Sequence, residues 1–275
     1  MRRPSVLYKT LRDLRWQVFW YGIGLCLMSA LVVYIFPSYS SQFADFEVPE
    51  AMRPFIGDAD FATGKGFLSA EIFSWVPLIM VVFAIMGGTS ALAGEEASGT
   101  LDLALAQPMT RTRLLLEKLA GLLVAAALIF LLIYAGWLIS VPFVDIDVSL
   151  GELAVATANM LPLIAFFQAF SLWAGVTLPS RGLATGAAVG LAVVSYFVFY
   201  LGGIVDAVEP LQWATVFYHY HGTEILTDGI DWGGFGLLVA LYALFAGWAV
   251  VSFQRRDLGV SAGLNLRLWP RAEPQ

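Results

Sequence analysis

Charged residues are scarce in this chain, at 13% of its 275 residues, whereas hydrophobic residues make up 59%. A typical soluble domain carries about 25% charged residues. Cysteine is nearly absent too: Cys26 is the only one, which excludes a disulfide within the chain. The apolar excess requires lipid around it, so the sequence predicts an integral membrane protein.

Six long runs of the sequence contain no Asp, Glu, Lys or Arg. A helix needs roughly 20 apolar residues to cross the hydrocarbon core, and a charge at its centre costs about 2.5 to 3.5 kcal/mol. The runs are 16–36, 72–94, 119–141, 153–178, 183–205 and 235–253. We predict an all-α protein with six transmembrane helices in one domain, residues 1–275. Because no acid or base lies deep in a run, an intramembrane proton relay has no carrier, which argues against an ion-coupled transporter.

The segments between the runs alternate in charge. If the N-terminus is inside, the outer segments hold only Arg53 and Lys65 of the 15 basic residues. Lys and Arg are retained on the cytoplasmic side, so both termini are predicted to be cytoplasmic. Most acidic residues fall in the outer segments. The net charge of −6 therefore divides into two faces of opposite sign, and no nucleic-acid partner is implied.

The first 15 residues precede the first run. Apolar side chains recur there at helical spacing among basic ones, at Val6, Leu7, Leu11 and Leu14. This pattern is typical of an amphipathic helix that lies on the inner membrane surface, and that is the prediction. The alternative is a solvated basic segment that only stops the first span.

Three glycines recur every four residues where the fifth run begins, at Gly182, Gly186 and Gly190. This spacing leaves one helix face without side chains, so another backbone can approach closely. We predict a helix-packing face. Its partner is either a helix of the same chain or a second copy.

Polar groups in the fourth run are the candidates for a transport pathway. They are Asn159, Gln168 and Ser171. Intramembrane polar side chains either face a cavity or form hydrogen bonds to a neighbouring helix. Both roles stay open here.

The segment between the second and third runs is the most informative. It begins with paired carboxylates that need partners or water at the end of a span. A glycine then ends the helix, a threonine can cap a short helix with an apolar edge, and a proline ends that helix. Thr110 can cap the next helix. The residues that define the segment are Glu95, Glu96, Gly99, Thr100, Leu101, Leu105, Pro108 and Arg111.

From residue 95 to residue 111 the chain reads Glu-Glu-x-x-Gly-Thr-Leu-x-x-x-Leu-x-x-Pro-x-x-Arg. This order resembles the signature of type 2 ABC transporter permeases, which that family carries between its second and third spans. The resemblance implies the permease subunit of an ATP-driven exporter in the cytoplasmic membrane of a prokaryote. It further implies that residues 95–113 couple to a separate ATPase subunit, and that a second permease copy or a paralogue completes the translocation path.

No Gly-x-x-x-x-Gly-Lys-Ser/Thr phosphate loop occurs in the sequence, so this polypeptide does not bind ATP in the usual P-loop manner. We predict that it is not an enzyme and carries no cofactor, with ATP and Mg bound on the partner. Gly259–Gly263 has the Gly-x-Ser-x-Gly spacing of a hydrolase. It follows the last span in a basic tail, however, on the side opposite to both histidines, where no base can reach it.

The histidines and the chain as a whole each admit an alternative. His219 and His221 form a His-x-His pair, but no third ligand is specified, so we predict no metal site.

For the whole chain the alternatives are a membrane scaffold or immunity protein without transport, and an ABC importer permease. The transported substrate is not indicated by any motif.

Overall fold

The computed structural model describes residues 5–43, 63–94 and 109–255. These residues form helices and connecting turns, with no strand among them. The α-helices are α1 (Val6–Phe43), α2 (Gly64–Leu68), α3 (Val76–Thr89), α4 (Arg111–Ser140), α5 (Leu150–Asn159), α6 (Leu161–Thr177), α7 (Arg181–Gly202) and α8 (Trp232–Arg255).

Shorter turns complete these helices. The π-helical turns Ser69–Phe73 and Ser90–Gly94 flank α3, and 3-10 turns lie at Val141–Phe143, Glu209–Ala214 and Tyr218–Tyr220. Six helical segments are long and apolar enough to cross a membrane. They are α1, the segment with α2 and α3, α4, the α5–α6 pair, α7 and α8, hereafter the first to sixth spans. The predicted all-α fold with six spans is confirmed.

The N-terminal segment is helical, as predicted, but it is not a separate surface helix. It forms the first turns of α1, which runs unbroken from Val6 to Phe43. No glycine or proline lies between Ser5 and Gly22 to interrupt it. With a rise of 1.5 Å per residue α1 is about 57 Å long, against a hydrocarbon core of about 30 Å. The charged first turns therefore extend beyond the apolar part of the bundle.

The first and third spans pack along each other at glycines. A Cβ atom on Gly136 would lie 2.5 Å from the backbone oxygen of Cys26, and one on Gly121 would lie 2.9 Å from the Cβ of Thr10. Real Cβ atoms do not approach so closely, so these positions require glycine. Small residues of this kind let two membrane helices bring their backbones together.

The second and fourth spans form the centre of the bundle. In the most apolar stretch of each, 72% of the residues are buried, compared with 17% in the fifth and sixth spans. Gly88 marks the contact between the central spans, because a Cβ there would lie 2.7 Å from that of Ser171. The sixth span packs on the fourth through aromatic rings, at Phe166, Phe170, Trp173, Phe245 and Trp248.

The two ends of the bundle differ in charge. The basic end, where α1 and α4 begin, holds Lys9, Arg12, Arg15, Arg111, Arg113, Lys118, Arg181 and Arg255. The acidic end, where α4 and α7 finish, holds Asp145, Asp147, Glu152, Asp206, Glu209, Glu224, Asp228 and Asp231. Of the described basic residues only Lys65 lies at the acidic end, and its ammonium pairs with Glu152 at 2.6 Å.

Candidate functional site

The predicted coupling segment, residues 95–113, is described only from residue 109 onward, together with the turn that precedes it. Its residues Glu95, Glu96, Gly99, Thr100, Leu101, Leu105 and Pro108 lie outside the described residues, and Arg111 lies within them. The entrance is the π-helical turn Ser90–Gly94, and the exit is Met109 together with the first turn of α4. The structure thus shows what holds this segment at each side.

Two cations hold the entrance. The Arg181 guanidinium, at the start of the fifth span, donates a hydrogen bond of 2.7 Å to the Ser90 hydroxyl. The Lys118 ammonium, from the third span, donates to the backbone oxygen of Ala91 at 2.5 Å. Lys118 is 3% exposed. A buried ammonium is costly unless it is hydrogen-bonded, so this contact fixes the entrance against the third span.

A threonine cap fixes the exit. Thr110 has an extended backbone (φ −74°, ψ 148°), and its hydroxyl accepts a hydrogen bond from the Arg113 N–H at 3.2 Å. This is the N-cap predicted from the sequence, and it is confirmed. Such a cap satisfies one of the first free N–H groups of a helix and sets where the helix begins.

Arg111 ties the exit to the end of the sixth span. Its guanidinium donates to the backbone oxygen of Phe253 at 3.3 Å and lies 5.9 Å from the centre of the Phe253 ring. Beside this contact, the Gln254 side-chain amide donates to the Thr112 hydroxyl at 2.7 Å. The exit and the last turns of α8 are therefore joined by polar contacts on two adjacent residue pairs.

Glu117 joins the exit to the first span, a contact that the sequence did not lead us to expect. Its carboxylate accepts from the backbone N–H groups of Val6 (2.7 Å) and Leu7 (3.3 Å), and from Nε of Arg113 (2.8 Å). A carboxylate at the N-terminus of a helix satisfies free N–H groups and interacts favourably with the helix dipole. Its i,i+4 spacing from Arg113 was the available signal.

Beneath these contacts lies an apolar basic-end cluster with residues from five spans. It consists of Val6, Leu92, Leu114, Leu115, Leu119, Ala169, Leu172, Val176, Ala249 and Phe253. The entrance contributes Leu92, and Met109 at the exit packs against the cluster. Both ends of the coupling segment are thus embedded in one packed group, to which all spans except the fifth contribute.

The comparison with known protein families bears on this arrangement. A family model described as ABC-2 family transporter protein matches residues 25–258, which include the coupling segment and most of the six-span bundle. The chain belongs to the ABC-2 transporter family. It is a multi-pass membrane component of an ABC transporter, of the permease type that associates with an ABC ATPase. This favours transport over the scaffold and immunity alternatives. A search of curated proteins found no match.

The glycine face of this ABC-2 permease is open within the chain. Among the described residues, a Cβ on Gly186 or Gly190 would meet no atom within 4 Å, and one on Gly182 would meet only the Ser180 hydroxyl at 3.9 Å. The described part of the chain therefore does not supply the packing partner. Packing against a second chain stays a prediction.

The three polar residues of the fourth span have different surroundings. Gln168 and Ser171 are fully buried, and the Gln168 amide donates to the backbone oxygen of Leu122 at 3.0 Å. Asn159 donates to the backbone oxygen of Tyr220 at 3.2 Å and borders a separate apolar cavity of about 470 Å³ between the third, fourth and sixth spans. Gln168 thus joins the fourth span to the third, and a pathway role for the three residues stays a prediction.

The two histidines of the permease face different partners. Nε2 of His219 lies 2.9 Å from the backbone oxygen of Trp213, whereas Nδ1 of His221 lies 3.2 Å from the Glu224 carboxylate. Within the described ranges no group of three or more His, Cys, Asp or Glu side chains could hold a metal ion. The Gly259–Gly263 motif lies outside the described residues.

Proposed function

We propose that this chain is the permease subunit of an ATP-driven exporter and that residues 95–113 dock a separate ATPase subunit. The ATPase holds ATP and Mg, and this chain supplies the path. The observation that carries the proposal is that both ends of the segment are embedded in the basic-end cluster of an ABC-2 family member. A docking element must pass force to the spans, and this one is tied to them at both sides.

Polar contacts lead from the segment into the bundle on both sides. Force on the entrance reaches the third and fifth spans through Lys118 and Arg181. Force on the exit reaches the sixth span through Arg111 and the first span through Glu117. Packed interfaces tend to switch between discrete arrangements rather than deform gradually. ATP-driven movement of the segment would thus change how several spans pack against one another.

The docking proposal is tested by co-purification from native membranes through a C-terminal tag. The wild type is expected to bring down an ATPase that contains a phosphate loop, and the double variant Glu96→Lys, Gly99→Pro is expected to lose it. Glu209→Lys makes the same charge change at the acidic end and should retain the ATPase. An ATPase that stays bound to the double variant, or none bound to the wild type, would overturn the proposal.

The direction of transport is proposed from the form of the segment, which resembles that of exporters. An exporter complex needs no secreted substrate-binding protein. The purified complex, reconstituted in liposomes, is therefore expected to hydrolyse ATP without one. A binding protein that co-purifies with the permease and is required for ATP hydrolysis would instead establish an importer.

We further propose that a second permease, identical or paralogous, packs on the glycine face of the fifth span. The test uses chains with Cys26→Ala and one new cysteine. Gly186→Cys is expected to cross-link to another permease in native membranes, whereas Ala188→Cys, fully buried in its own chain, is not. The mass of the adduct distinguishes an identical partner from a paralogue. Equal cross-linking at both positions would contradict this interface.

A further inference from the structure

An aromatic cavity lies at the acidic end, apart from the coupling segment. It has a volume of about 210 Å³ and is bounded by the second span, the fifth span and residues 209–224. Seven Phe and Tyr side chains line it, among them Tyr196, Tyr200, Tyr218 and Tyr220. Pockets for drug-sized ligands measure about 300 to 1,000 Å³, so this cavity suits a smaller group.

Two polar side chains of the cavity wall already have partners within the chain. The Gln212 amide donates to the backbone oxygen of Phe199 at 2.8 Å, and the Ser74 hydroxyl donates to that of Ser69 at 3.1 Å. A sugar or another polyhydroxylated ligand needs many free donors and acceptors. This wall offers few, so its recognition chemistry lies mainly in its rings.

Tyr220 carries a buried hydroxyl at the wall. Its side chain is 7% exposed, and its hydroxyl has no hydrogen-bond partner among the described residues. A Cβ on Gly222 would overlap the Tyr220 ring, so the glycine lets the ring approach the backbone closely at this point. Burial raises the pKa of Tyr220, which keeps the hydroxyl neutral. A buried hydroxyl left unpaired is costly, and a ligand in the cavity would offer it a partner.

The charge around the cavity is negative. Among the described residues that line the cavity, Glu224 is the only carboxylate, in contact with Nδ1 of His221 at 3.2 Å, and none is Lys or Arg. Nε2 of His221 lies 3.7 Å from Asp231, so a second carboxylate stands just behind the wall. Aromatic ring faces also carry negative charge and attract cations, and such contacts are the usual means of recognising quaternary ammonium groups. An anionic ligand would face repulsion from the same groups.

We propose that this cavity binds a small organic ammonium group, held by the ring faces and by Glu224. The group comes either from a free amine or from the headgroup of a lipid in the outer part of the bilayer. The inference goes beyond the transport proposal and does not rest on it, because it concerns binding alone.

The test compares choline with 3,3-dimethyl-1-butanol, which has the same shape but no charge. The full chain is placed in nanodiscs of phosphatidylglycerol, which contain no choline, and binding is followed by saturation-transfer difference NMR. Choline is expected to bind saturably and roughly tenfold more tightly than the neutral analogue, as a desolvated cation–ring contact predicts. Equal binding of both compounds, or no saturable binding of choline, would overturn the proposal.

Variants locate the site. Tyr218→Phe keeps the ring and should bind choline as the wild type does, whereas Tyr218→Leu and Glu224→Gln are each expected to weaken binding at least about fivefold. Asp206→Asn removes an acidic-end charge that does not line the cavity, and it should change little. Unaltered binding in both Tyr218→Leu and Glu224→Gln, with each variant monodisperse on size exclusion, would place the choline elsewhere and refute the proposal.

Repeating the choline experiment in a second lipid identifies the source of the ligand. If choline binds in phosphatidylglycerol but is displaced when the nanodiscs contain phosphatidylcholine, the cavity takes lipid headgroups. If choline binds equally in both lipids, it takes the free cation. Either result supports the assigned chemistry.

Discussion

Glycines in the central spans and glycines in the fifth span differ in what surrounds them. A Cβ on Gly88 would lie 2.7 Å from the Ser171 Cβ, whereas one on Gly186 would meet nothing within 4 Å among the described residues. Small residues in membrane helices mark faces where backbones approach. The central contact is completed within the chain, and the fifth-span face is not. Sequence spacing therefore finds a contact face without telling which molecule completes it.

Enlarging a central glycine gives the largest expected effect. In Gly88→Leu the new side chain would collide with the fourth span, because a Cβ at residue 88 would lie 2.8 Å from the Gln168 backbone oxygen. Overpacking of this kind costs about 1 to 3 kcal/mol or more. We expect the free energy of unfolding, measured by SDS titration in mixed micelles, to fall by about 3 kcal/mol. A wild-type value would mean that the central contact is looser than the structure shows.

A buried hydrogen bond of the fifth span gives a smaller effect. The Ser195 hydroxyl accepts from the Val216 N–H at 2.9 Å, and both residues are buried. Ser195→Ala leaves that N–H unpaired, which should lower the free energy of unfolding by about 1 kcal/mol. Ser180→Ala, an exposed cap at the other end of the span, is the comparison. No loss for Ser195→Ala would show that this hydrogen bond contributes nothing to the stability of the chain.

A polar residue of the central spans should matter less. Gln168→Leu removes the hydrogen bond to the Leu122 carbonyl but also removes a buried side-chain oxygen that has no partner among the described residues. Interhelical hydrogen bonds in membranes average about 0.6 kcal/mol, so we expect a loss of that size or none in the same titration. A loss above about 2 kcal/mol would indicate that Gln168 serves more than helix packing.

Enlarging a fifth-span glycine should leave the single chain unchanged. A Cβ on residue 186 would meet nothing within 4 Å among the described residues, so the free energy of unfolding of Gly186→Leu should stay within about 0.5 kcal/mol of the wild type. The same variant should reduce the cross-linked permease pair in native membranes, tested with a cysteine at Gly190. If Gly186→Leu lowered the free energy of unfolding as much as Gly88→Leu does, the glycines of the fifth span would not differ from those of the central spans.

The number of spans followed from the sequence because length and the cost of charge leave few choices in lipid. The ends of the helices could not be predicted from the sequence. An uncharged apolar run ends at the first charged residue, whereas a helix can continue past it. The second span begins at Gly64, eight residues before the apolar run, because the Lys65 ammonium pairs with Glu152. The third begins at Arg111 instead of 119 because Thr110 caps it and Arg113 pairs with Glu117.

Contacts between segments that are distant in the sequence were harder still to predict. Arg111 was predicted as a site residue, but its partner Phe253 is 142 positions away, and no local pattern joins them. The fourth span divides at Met160 because Pro162 offers no N–H to the preceding turn, a break that the apolar run concealed. The aromatic cavity draws on two spans and a connecting segment. No motif in the sequence brings these separate segments together.

The Glu117 contact has a practical consequence for labelling. It fixes Val6 beside Arg113, so the N-terminal end of the first span lies at the exit of the coupling segment. A fluorescent protein or affinity tag joined there would crowd the surface proposed to receive the ATPase. An inactive N-terminal fusion would therefore report steric obstruction rather than a poorly folded permease.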